Sequence, residues 1–129
     1  MLAIDTNVVV RYLTGDHPEQ SLRARQIIDG QAVFVATTVL LEVEWVLRSA
    51  RGYRPERLAA ALAAFGGLPT VTLEDTARIA AALEGMVNGL DFADALHLAA
   101  ARDCEAFVTF DRAFTKAAAG RGPVEVRTA

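Results

Sequence analysis

Four acids, Asp5, Glu42, Asp94 and Asp111, each stand at the border of an apolar run. Carboxylates drawn together without cations repel one another, and burial raises the cost. A divalent cation supplies the missing charge. Hard oxygen donors, with one cysteine (Cys104) in the chain, suit Mg²⁺ or Mn²⁺ rather than a thiolate metal. The chemistry such a group allows is the acidification of a metal-bound water and the neutralisation of a developing anion.

Taken one at a time, the acids have a simpler explanation. Negative charge near a helix N-terminus is favoured by capping and by the helix dipole. Asp91 suits an N-cap, with Asp94 three residues on in a capping-box-like relation. Glu42 is harder to explain this way, because its i+3 and i+4 neighbours are Trp45 and Val46 and no cation on its own helix pairs with it. Glu44 has Arg48 at i+4 and reads as an outer-face pair. As a group, the four acids point to metal. Of the two histidines, His17 lies in a polar turn. His97 reads either as a packed helix histidine or as a neighbour touching Asp94.

The elements that would position these residues alternate along the chain. "MLAID" starts as a short strand and "NVVVRYL" continues as a helix; "PEQSLRARQIID" opens a second helix at Pro18. "AVFVA" is a strand. "TVLLEVEWVLRSAR" is a helix with Val39, Val43, Val46, Leu47 and Ala50 on one stripe. "PERLAAALAAF", strand "TVTL" and helix "EDTARIAAALEGM" follow. The helix of "DFADALHLAAARDCEAFVTFD", strand "AFVTF", a short helix from Arg112 and strand "VEV" complete the chain.

Such alternation predicts an α/β fold, a parallel sheet with helices on both faces. Helices then run antiparallel to strands, so strand C-termini and helix N-termini share an edge, and all four acids are expected at that edge. If the strand order reverses between the first and fourth strands, Asp5 and Asp111 flank the crevice where open α/β sheets bind ligands.

With 129 residues, 53% of them hydrophobic, the chain has the size and composition of a single packed domain, 1–129. The lone cysteine excludes a disulfide framework and suits a reducing, cytoplasmic setting. No basic leader opens the sequence, and the most apolar stretch is broken by Glu42 and Glu44. The net charge of −3 does not announce a nucleic-acid binder, although the cations are almost all Arg, the side chain suited to forked phosphate contacts.

The segments "IDTNVVVRYL", Glu42 in "TTVLLEVEWVL", "DFADALHLAAA" and "FVTFDRAF", in this order over nearly the whole chain, resemble the PIN domain and, within it, the VapC toxins of prokaryotic toxin–antitoxin pairs. The resemblance implies a three-layer α/β/α fold with a five-stranded parallel sheet, and homodimers. It makes Asp5, Glu42, Asp94 and Asp111 the catalytic and metal-binding acids, with Asn7 and Thr109 as supporting polar residues. Asp91 stands between cap and outer ligand. The implied activity is Mg²⁺- or Mn²⁺-dependent endoribonuclease cleavage of tRNA or rRNA, leaving a 5′-phosphate and a 3′-hydroxyl, with a VapB antitoxin as partner. One acid not fully engaged by metal would orient the attacking water.

Substrate grip must come from outside the acids. The densest cationic stretch, "RSARGYRPER", offers Arg51 and Arg54 as RNA contacts with Tyr53 available for stacking; its other reading is a solvated face partly paired through Glu44 and Glu56. Trp45 and Leu41 form either a partner-binding patch or core beneath a neighbouring helix. The competing functional class is a non-catalytic metal- and nucleic-acid-binding regulatory partner on the same scaffold.

Overall fold

Each expected strand and helix forms in the computed structural model, which describes residues 1–129. The first two strands are shorter than the apolar runs that contain them, because Asp5 and Ala36 leave the strand to become helix N-caps. The chain folds as two compact units, Met1–Thr76 and Ala77–Ala129.

The first unit comprises β1 (Leu2–Ala3), α1 (Thr6–Thr14), α2 (Pro18–Gly30), β2 (Val33–Val35), α3 (Thr37–Ser49), α4 (Pro55–Gly66) and β3 (Val71–Leu73). Its sheet is parallel in the order β1-β2-β3, with Leu2 opposite Val33 and Val35 opposite Leu73. Val33 and Val35 are buried on the central strand, as are Val9, Ile28, Leu40, Val43, Leu47, Leu58 and Phe65 on the helices. Gly15 stops α1 with φ at 63°, a conformation that costs a β-carbon-free residue little, and its N–H closes on the Arg11 carbonyl.

The α3 stripe is rotated from the expected one. Leu40, Val43, Glu44 and Leu47 are buried, whereas Val39 and Val46 are half-buried and Ala50 is exposed. Glu44 is therefore not on an outer face: it is 2% exposed. The expected partner does bind it, since Arg48 Nε donates to both Glu44 carboxylate oxygens at 2.8 and 3.3 Å. Neutralisation from i+4 is what lets a charge take a core position.

The second unit takes α5 (Thr76–Val87) from its second residue, then α6 (Phe92–Ala100), β4 (Ala106–Thr109), α7 (Arg112–Ala118) and β5 (Glu125–Thr128). β4 and β5 form a parallel pair, Ala106 opposite Glu125 and Thr109 opposite Thr128. Leu98, Phe114, Ala118 and Val124 make a buried cluster, joined by Leu90, Ala101, Phe107 and Val126. Gly85 lets α5 approach α6 closely; a β-carbon there would stand 3.0 Å from that of Ala95.

The single five-stranded sheet is thus corrected to two parallel sheets, one of three strands and one of two. The α/β alternation and the parallel pairing hold. What fails is continuity. β1 pairs with β2 alone and β4 with β5 alone, so the strand reversal between the first and fourth strands is not formed, and no one sheet offers an edge that all four acids could share. Alternation identifies strands but not the edges they pair, and β1 has only two residues, both exposed, before the chain turns to cap α1.

Candidate functional site

In the first unit, the acids are organised by a residue between them. Asp5 is the N-cap of α1 and accepts from the Thr6 N–H at 2.6 Å. The Thr6 hydroxyl donates to Glu42 Oε1 at 3.2 Å. Thr6 is buried, while both carboxylates are exposed, so one threonine holds an oxygen of each acid from beneath. Asn7 lines a shallow groove between α1 and α2 with Arg11, Gln20 and Ile27.

In the second unit, Asp91 caps α6, accepting from the N–H groups of Ala93 and Asp94 at 3.2 and 3.4 Å. Asp111 caps α7 through the Phe114 N–H at 3.0 Å, and its own N–H donates to the Thr109 hydroxyl at 3.0 Å. Thr109 therefore fixes the corner that carries Asp111. Asp94 has no capping task. Burial pushes its carboxyl above the ordinary value and the charge of Asp91 pushes it further; His97 pulls the other way, and Asp111 adds the smallest upward push. His97 is exposed and lies parallel to the Phe107 ring, 6.4 Å between centroids, so it is a stacked surface histidine whose charge reaches Asp94.

The acids are thus brought together as Asp5 with Glu42, and as Asp94 with Asp91 and Asp111. No three His, Cys, Asp or Glu side chains stand ready to hold a metal ion. Within the first unit the candidate donors are Asp5 and Glu42, and within the second they are Asp94 and Asp111. A set of one or two carboxylates completed by water and phosphate oxygens is the ligation Mg²⁺ favours.

The cationic stretch is more engaged than its sequence suggests. Arg51 is ion-paired with Asp16, which also takes Arg11 at 3.2 Å. Tyr53 is half-buried, and the Arg57 guanidinium lies 3.9 Å from its ring centroid, occupying one face. Arg54 is exposed at the start of α4. Trp45 is 60% exposed and is not core; Leu41 beside it is half-buried.

Two residues escaped sequence reasoning. Thr6 had a signal, a hydroxyl directly after a capping acid in "DTN". Glu74 follows β3 closely, as Asp5 follows β1, and its carboxylate accepts from the Thr37 N–H at 2.8 Å, capping α3 across the sheet edge.

The profile of the PIN domain matches residues 2–120. The chain belongs to the PIN-domain family. No curated protein matches it at significant similarity. The PIN membership agrees with nuclease-type chemistry in general, and no helix of this PIN domain is long and apolar enough to cross a membrane.

Proposed function

We propose that this PIN domain is a metal-dependent endoribonuclease acting in the cytoplasm as the toxin of a VapBC-type pair, with Asp5, Glu42, Asp94 and Asp111 as its acids. The observation that carries the reading is Asp94. It alone of the four acids outside Glu42 serves no cap, and it sits partly buried against the like charges of Asp91 and Asp111. The helix dipole accounts for an acid in the first turn, but not for one held against two like charges, a cost that a bound cation would relieve.

Mg²⁺ or Mn²⁺, when bound, would supply an acidified water and positive charge against the phosphodiester. The protein's own part is positional. Thr6 orients Asp5 and Glu42, Thr109 sets the backbone of Asp111, and Asp91 anchors the first turn that carries Asp94. The substrate class is tRNA or rRNA. Trp45, exposed beside Leu41 on α3, is a surface for the VapB antitoxin, and the toxin acts as a homodimer.

The test is cleavage of total RNA with Mg²⁺ or Mn²⁺, beside Asp5→Asn and Asp94→Asn, one acid from each unit. Discrete fragments lost in both variants and with EDTA support the reading. Identical behaviour of all three folded proteins removes it. The second reading, a non-catalytic metal- and nucleic-acid-binding regulatory partner, draws on Asp5 and Asp111 having caps to make whatever else they do. It predicts RNA binding without fragments.

A further inference from the structure

We infer that Phe110, with Arg112, is a nucleotide platform that seats one RNA base and its phosphate beside Asp111; the inference rests on the nuclease reading. Phe110, just past the end of β4, is 86% exposed, the most exposed of the large apolar side chains, and Val108 on β4 is 61% exposed. An aromatic ring left in water forfeits the burial that Phe65, Phe92 and Phe114 obtain.

The ring is not on a loose loop. The Thr109 carbonyl accepts from the Ala129 N–H at 2.7 Å, the Thr109 hydroxyl accepts from the Asp111 N–H at 3.0 Å, and Asp111 is held by the Phe114 N–H. The backbone is therefore pinned on both sides of Phe110, which presents a flat apolar face with little left to order on binding. Arg112, two residues on, is exposed and stands in no ion pair, so its guanidinium is available to a phosphate.

This combination fits nucleic acid better than the stretch around Arg51. Arg51 is engaged by Asp16 and Tyr53 is covered by Arg57, whereas Phe110 and Arg112 are both uncovered and adjoin a candidate acid. Single-stranded RNA is held by stacking on aromatic rings and by guanidinium contacts to the backbone.

Binding of a short fluorescein-labelled single-stranded RNA, read by anisotropy in Ca²⁺, tests it apart from cleavage. Phe110→Ala should weaken binding roughly tenfold, Phe110→Trp should retain it, and Phe110→Leu should not restore it, since stacking requires a π-face. Arg112→Glu should weaken binding and steepen its loss with Phe110→Ala. In turnover, both variants should raise KM with little change in kcat. Because Phe110 is exposed, its variants should melt as the wild type does. Wild-type affinity in Phe110→Ala and Phe110→Leu overturns the platform, as does a wild type that binds no RNA. A change confined to sedimentation assigns Phe110 to a protein contact instead. RNA binding that depends on Phe110 in a protein that never cleaves would keep the platform and remove the nuclease.

Discussion

At Asp94, burial and the charges of Asp91 and Asp111 act in the same direction, and only His97 opposes them. A carboxyl whose folded-state pKa lies above its unfolded value binds more protons when folded. Its contribution to stability is therefore lost as pH rises from the unfolded value of 3.8 through the folded one. In metal-free protein at neutral pH, Asp94→Asn should raise Tm slightly. The gain should vanish below about pH 4, where both states are protonated. A calorimetric pH series checks this, and a variant that melts lower than wild type at pH 7 would contradict it. Thr6 behaves oppositely. Thr6→Val keeps the shape but removes the hydroxyl from Glu42. It should cost about 1 kcal/mol by denaturant titration, with Thr6→Ser costing less.

At the scale of elements, α3 is held at its start and at its middle by carboxylates with contrasting demands. Glu74 caps it from outside, and Glu74→Ala should destabilise by about 1 kcal/mol, a typical cap value. Inside, Glu44 is buried and depends on Arg48. Arg48→Ala strands a core charge and should cost about 3 kcal/mol, whereas Glu44→Met, which removes the charge itself, should be nearly neutral. Equal losses in the two variants, measured by urea unfolding, would refute the assignment of the cost to an uncompensated charge. Only part of this was legible beforehand. The i+4 spacing announced the Glu44–Arg48 pair, but the burial of Glu44 was hidden because a paired glutamate looks the same on either face of a helix. The Asp91 cap was visible in the sequence and forms as expected, with Asp94 in the first turn of the same helix; that Asp5 and Asp111 also cap helices was visible only in kind.

For the whole molecule, the succession of strands and helices could be read from apolar runs and from Pro18, because those signals are local. The sheet could not. Which strand edges pair depends on contacts distant in sequence, and runs of two to four residues carry no mark of their neighbours. The candidate acids were legible as residue types in a familiar order; the pairing of Asp5 with Glu42 through Thr6 was not. If a cation binds the folded form, it must stabilise it. At roughly a hundredfold above Kd, Mg²⁺ or Mn²⁺ should add about 2.7 kcal/mol. Asp94→Asn should abolish most of the Tm shift on titration, and an unchanged shift would exclude Asp94 as a ligand.

The caps on α1 and α7 have a practical consequence for anyone seeking an inert form of this protein. Alanine at Asp5 or Asp111 removes a helix start together with whatever chemistry the acid performs, so such proteins should accumulate poorly in an expression host. Their silence would then report scarcity as much as inactivity. Asparagine retains the capping oxygen, and Asp94→Asn removes an acid that caps nothing, so that chain should accumulate to full yield and serve as bait for whatever the intact protein would otherwise consume.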